Sequence, residues 1–494
     1  MKYYVTAQPV DASAPLGIAA IYRAILCDAI ARHRRMCGFD VAYLIATDRT
    51  QIGRSGAPPS EPTPSARSDG AQYREVIEQL EVQATHFQSS SAANHVRAVE
   101  AMLRQTTRLS RLAIYKGPYV GRFCNHDQID VSDSKEPAAC PKCGRAADLV
   151  SEQRYFFRLP SFQSRLDALY KFRPEFIQPH ALLPQVQQAL AKGLKDIPIS
   201  VTAGRGAVAW PDDPECAVSS LYSDMVMYLS GIGFGDDGVR GDEFRQLWPA
   251  KGHVVGPEEF LPHAVYWPAF LMAADLPLPR RIFTHAMLHA DADALALLRR
   301  AAATKSGSDA LRYQLLHDVQ YVDDSRLELD EAAAQAPAKA IDNLQALTKR
   351  VVSLTRQHSQ GKVPPPGIGA EEEPLIESFF ADLRAEVRIL LDANNFSEAL
   401  PKIWSLVELI AQRLDRATAN AQSGHSSERQ LQAMLHDACE GMGWIALLLH
   451  PILPRVTESI WRALGQTTQL REQLIDETPW SCLMPGTPLR EFAE

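Results

Sequence analysis

Chemistry in this chain starts with sulfur. Cys124 is followed at x-x spacing by Asp127, and a second pair, Cys140-Pro-Lys-Cys143, comes soon after. Thiolates bind Zn²⁺ at ~2.3 Å in a tetrahedral shell, which can replace a hydrophobic core in a small insertion. The spacing predicts a structural zinc knuckle held by Cys124, Asp127, Cys140 and Cys143, with His126 as the other choice for the non-sulfur ligand. Three reduced cysteines without metal is the alternative reading. The other cysteines are scattered. The residues from Met1 to Val10 show no basic segment leading into an apolar run. In a long chain of this kind a Cys-x-x-Cys pair points to metal rather than to a disulfide framework, and the expected compartment is the cytoplasm.

Elements must carry these groups. Lys2 to Ala7 reads as a buried strand, and Ile18 to Met36 has apolar residues at helical spacing. Arg32, Arg34 and Arg35 lie at its C-terminal end, where the helix dipole favours cations. Gly38 stops the helix and Val41 to Ala46 reads as the next strand. Strand, helix, strand at this length opens a doubly wound parallel sheet. His253 to Gly256 looks like a further buried strand ending at the edge where open α/β sheets bind ligands. Gly53 to Gly70 is a loop rich in Pro, Ser and Gly, and Ser151 to His180 returns to helical periodicity. Ala264 to Leu278, interrupted by Pro268, Asp275 and Pro277, reads as a buried helix too short for a bilayer. From Asp330 the pattern is almost wholly helical, broken by a linker, Gln360 to Gly369, with three consecutive prolines. It predicts an antiparallel helix bundle. The 494 residues imply about three domains. A net charge of −8 does not favour a polyanion, though a local basic patch could still bind one; DNA and membrane are not expected partners.

Several phrases in order resemble the methionyl-tRNA synthetase family. These are Tyr4-Val5-Thr6 with Pro15-Leu16; Arg32 to Val41; Ile114-Tyr115-Lys116-Gly117; and Tyr155-Phe156-Phe157-Arg158-Leu159. The longest is Leu247 to Pro279. Asp309-Ala310-Leu311-Arg312-Tyr313 and His450-Pro451-Ile452-Leu453-Pro454 complete the set. The resemblance implies an α/β fold: a Rossmann-like class I synthetase catalytic domain with a zinc-knuckle insertion, followed by an α-helical anticodon-binding-type bundle. It divides the chain into a catalytic domain at 1–111 and 159–280, the insertion at 112–158, a connecting stem-contact region at 281–330 and the bundle at 331–494.

The resemblance also exposes what is missing. Forming an aminoacyl adenylate requires cationic and hydrogen-bonding groups aimed at the phosphates. The family's His-x-Gly-His turn falls on Gly17-Ile18-Ala19-Ala20, and its lysine-rich loop on Ala294-Leu295-Ala296-Leu297-Leu298. Neither carries an imidazole or an ammonium group. Lys305 is the only lysine between Lys251 and Lys339. Asp48 keeps its place, but Arg49-Thr50-Gln51 replace the usual Glu-His-Gly. Removing one preorganised donor typically costs ~10²–10³ in rate, so the pattern weighs against ATP and against adenylation.

By resemblance, Asp48 holds the substrate α-amino group, Tyr228 and His263 line the side-chain pocket, and Gly256 and Glu258 form the ribose edge. The remaining pocket positions change polarity: Pro9 and Asp11, then Leu221, Asp224 and Met225, then Glu259. A thioether offers little to hydrogen-bond, so Asp11, Asp224 and Glu259 imply either a ligand carrying an additional amine or a pocket no longer in use. In the bundle, Val351 stands near the family's anticodon-reading Asn and Asn420 near its Trp, which weakens the expectation of tRNA. Three readings result. One is a paralogue without adenylation that keeps a remodelled amino-acid or amine cleft, a pseudoenzyme in specialised metabolism or regulation. Another is a working methionine–tRNA ligase with an atypical ATP site. The third is a scaffold for protein or tRNA.

Overall fold

The computed structural model describes residues 1–11, 16–48, 69–124, 129–131, 139–140, 143–203, 208–290, 307–319, 321, 325–327, 331–367, 376–423 and 427–492. The first crossover forms as its sequence predicts: β1 (Lys2–Ala7), α1 (Ile18–Met36) and β2 (Asp40–Asp48). Gly38 takes φ 79°, a left-handed conformation that suits glycine and reverses the chain after α1. α2 (Asp69–Gln79), β3 (His86–Ser89) and α3 (Ala93–Leu109) follow.

A hairpin then leaves the sheet. Its strands are β4 (Ile114–Cys124) and β5 (Asp148–Phe157), antiparallel from Ile114 opposite Phe157 to Phe123 opposite Asp148. The helical periodicity expected from Ser151 therefore begins later, with α4 (Gln163–Phe172). Tyr155, Phe156 and Phe157 are strong strand formers, and pairing with β4 overrides the weak helical pattern there.

The parallel sheet resumes with β6 (Ile177–Gln178), β7 (Gly252–Val255) and β8 (Ile282–Thr284), and its order is β3-β2-β1-β7-β8-β6. The short strand Val10–Asp11 also pairs with β2, opposing Asp11 to Asp48. Chain order reverses between β1 and β7, so the cleft must open at their carboxyl ends. α5 (Ser220–Ser230) and α6 (Trp267–Ala273) pack over this region. The long buried helix expected over Ala264 to Leu278 is shorter: a π-turn at Pro262–Tyr266 leads into α6, and Asp275 turns out at φ 54° ahead of Pro277.

After α7 (Gly307–Asp318) comes the helical half: α8 (Glu331–His358), α9 (Ile376–Asp392), α10 (Phe396–Gln422), α11 (Glu428–Leu449) and α12 (Pro454–Ala463). Ser427 and Gln430 form a reciprocal capping box on α11. One buried ion network joins the halves. Arg312 of α7 sits 2.8 Å from the Asp28 carboxylate of α1 and donates to the carbonyls of Pro451, Ile452 and Leu80. Arg32 completes the network at 2.7 Å from Asp28. Burial alone would raise the Asp28 carboxyl, but the two guanidiniums and the Gln83 N–H hold it below the usual carboxylate range. Among the described residues no helix is long and apolar enough to cross a membrane.

Candidate functional site: a cleft with neutral histidines

At the carboxyl end of β1, Gln8 accepts a hydrogen bond from the Gly256 N–H at 2.7 Å and reaches toward Glu258 at 3.4 Å. These contacts pin the mouth of the cleft across the point where chain order reverses. One layer deeper, Thr6 Oγ1 lies 2.7 Å from Nδ1 of His253, and the Trp267 indole donates to His253 Nε2 at 3.2 Å. That bond makes Nε2 the acceptor, so Nδ1 carries the proton. Tyr228 stacks on His253 with ring centroids 4.3 Å apart and hydrogen-bonds His263 Nε2 at 2.8 Å. His263 Nδ1 in turn faces the Glu259 carbonyl at 2.7 Å, which fixes its tautomer in the same sense.

Every histidine of this wall is neutral. Burial first, helped by the Arg23 charge, lowers His263 to about 4 and His285 to about 3. Burial also takes His253 well below its ordinary value. The Tyr228 hydroxyl is raised by burial first, then by the negative charges of Glu259 and Asp224. Of these two carboxylates, Glu259 has an oxygen 3.8 Å from His263 Nδ1. Leu221 and Asp224 are half-buried on the first turns of α5, and Met225 is buried. Asp11 is exposed on its edge strand, level with the backbone of Asp48.

Gly17, Ile18, Ala19 and Ala20 form the start of α1 and bring no ionisable group to it. Arg23, one turn further on, is a cleft residue that sequence reasoning missed. Its signal is a lone charge inside the apolar run Ile21-Tyr22-Arg23-Ala24-Ile25. His253, Gln8 and Trp267 were missed too, because their roles depend on contacts between distant strands and helices. The expected lysine-loop positions Ala294, Leu295, Ala296, Leu297 and Leu298 lie outside the described residues, as do Lys305, Arg49, Thr50 and Gln51.

In the insertion, the sulfurs of Cys124, Cys140 and Cys143 lie within 4.8 Å of one another, with Cys124 and Cys143 3.7 Å apart. A tetrahedron with ~2.3 Å Zn–S bonds has edges of about 3.8 Å, so the donor set and spacing fit zinc. Asp127 and His126 lie outside the described residues. Zinc here would tie the hairpin end together.

In the bundle, Val351 is fully buried in α8 and contributes to the core. It cannot present itself to a nucleotide base, so the position expected to match an anticodon-reading Asn is structural here. Asn420 is exposed near the end of α10.

Comparison with known proteins gives one answer over both halves. The family described as tRNA synthetases class I (M) matches residues 3–149 and 144–352, and the anticodon-binding domain of tRNA ligase matches residues 374–485. The second match does not support the weaker expectation of tRNA drawn from Val351 and Asn420. A methionine–tRNA ligase of Thermotoga maritima is 25% identical, covering 99% of this chain and 78% of its own. One of Mycobacterium bovis is 28% identical, covering 98% and 96%. The solved Mycobacterium tuberculosis methionyl-tRNA synthetase in complex with methionyl-adenylate superposes with a TM-score of 0.88 at 29% identity, over 99% of this chain and 98% of that one. Its apo form gives 0.85 at 28% identity, over 100% and 98%. From the β1–β7 cleft through the cysteine cluster to the helical half, the chain belongs to the methionyl-tRNA synthetase family of class I aminoacyl-tRNA synthetases.

Proposed function

We propose that the protein is a methionine–tRNA ligase with an atypical ATP site, joining methionine to tRNA at the expense of ATP. The observation that carries this reading is the likeness over nearly the whole chain to a synthetase solved with methionyl-adenylate, together with a match in the helical half to the anticodon-binding domain of tRNA ligases. Tyr228 and His263 keep one wall of the amino-acid pocket, with an uncharged imidazole at its back. A neutral wall suits an apolar thioether, and a protonated one would not. Asp48 would hold the α-amino group, and Gly256 and Glu258 the ribose edge. Cys124, Cys140 and Cys143 would hold a structural zinc, with Asp127 as the fourth ligand.

A second reading is favoured by one specific observation: the first turn of α1, Gly17 to Ala20, carries no imidazole. Under that reading the cleft still binds an amino acid or an amine-bearing small molecule but does not activate it, and the helical half binds tRNA or a partner protein. Methionine-dependent exchange of pyrophosphate into ATP separates the two. Exchange well above a no-enzyme control, followed by charging of tRNA, supports the ligase. Methionine binding without exchange overturns the ligase reading in favour of the second.

A further inference from the structure

A single guanidinium stands where the histidines cannot serve. Arg23 is 6% exposed, and its Nη1 lies 3.4 Å from His285 Nε2 and 3.7 Å from Glu258 Oε1. A Cβ on Gly256 would meet Nη1 at 2.7 Å and both Glu258 oxygens at 2.5 Å, so the guanidinium and the carboxylate converge over the buried backbone of Gly256 at the end of β7. The Arg23 charge is also felt at Tyr228 and His263. Arg23 is the one buried cation that the described residues bring to this edge.

Its pairing is incomplete. The Nε has no hydrogen-bond partner. The Glu258 contact exceeds hydrogen-bond length, and that carboxylate is 43% exposed and, among the described residues, hydrogen-bonded only by the long bond from Gln8. A guanidinium offers five N–H donors, and burying such a charge without good partners is costly. The cost is recovered when an oxyanion arrives with two well-aimed oxygens. The place over Gly256 that such an oxyanion would take is filled by the Glu258 carboxylate itself.

We propose that Arg23 is the anion subsite of this cleft, taking an oxyanion of the bound ligand (a phosphate or a carboxylate) against Gly256 while Glu258 turns out to solvent. The inference rests on the proposed reading only in that the cleft binds an amino acid or nucleotide; it requires no adenylation. It gives the cleft a positive group that the first turn of α1 does not supply.

Two pairs of probes differ only in the anionic group: AMP against adenosine, and L-methionine against L-methioninol. Calorimetric titration of the full chain should show the anionic member of at least one pair binding about tenfold tighter or more than its neutral partner. In Arg23→Met that ratio should fall to near one, with the neutral partner's affinity changed little. Glu258→Gln removes the competing carboxylate and should tighten the same anion severalfold; this exposed position tests the idea even if Arg23→Met folds poorly. The responding pair identifies the oxyanion as phosphate or carboxylate. Equal binding within both pairs, an unchanged ratio in folded Arg23→Met, or no binding by either anion overturns the proposal. Absence of pyrophosphate exchange alongside Arg23-dependent binding sinks the ligase reading and leaves this one standing.

Discussion

The Tyr228–His263 hydrogen bond is the residue-scale feature with the clearest consequence. Tyr228→Phe leaves His263 Nε2 as a buried acceptor without a donor, at a cost of about 1–3 kcal/mol. Methionine binding should weaken by roughly tenfold, while the fold survives; titration of the variant with methionine beside circular dichroism checks both. Tyr228 and His263 could be named from the sequence because the phrases around them keep their order. Arg23, His253 and Gln8 could not, since each acts through a residue more than two hundred positions away. Asp224 and Glu259 were legible as a change of polarity, and their charges act on Tyr228.

Among elements, the hairpin of β4 and β5 depends most on a group outside the polypeptide. Among the described residues its distal end has a small cluster formed by Cys124, Val131, Cys140 and Ala147, which a metal cross-link would hold together. Purified protein should carry about one zinc per chain. A strong chelator, or Cys143→Ser, should release it and expose the hairpin tip to protease while the parallel sheet stays intact; metal analysis and limited proteolysis report the two effects. Capping gives a smaller prediction: Ser427→Ala breaks the box at the start of α11 and should cost ~1 kcal/mol in a denaturant titration. The bounds of α1 were readable because Gly38 and the basic last turn mark its end. Ser151 to Phe157 was misread because a strand whose partner lies some thirty residues away carries no local mark of the pairing.

Acid sensitivity belongs to the whole molecule. His263 is lowered to about 4, His285 to about 3, His95 to about 4 and His450 to about 3, all by burial. An unfolded chain protonates these groups near 6.5. Each therefore contributes stability present above that value and lost progressively as pH falls toward its folded value, by about 1.4 kcal/mol per pH unit. Asp309 and Glu440, raised to about 7 by burial, act in the opposite sense: their contribution is complete at acid pH and fades as pH rises toward 7. Four histidines outweigh two carboxyls, so the unfolding midpoint should fall between pH 6.5 and 4.5. Calorimetry across that range checks it; a midpoint that rises would contradict the assignment.

The buried network of Asp28, Arg32 and Arg312 has a mechanical corollary. Asp28 and Arg23 share one helix and stand five residues apart, ~7.5 Å along its axis. A strain that tugs Arg312 through the carbonyls of Pro451 and Ile452 thus reaches the cleft along a stiff rod rather than through loops. Cutting the linkage with Arg312→Met leaves Arg32 as the one guanidinium on Asp28, and should lower the melting temperature in scanning calorimetry while loosening the helix that carries Arg23.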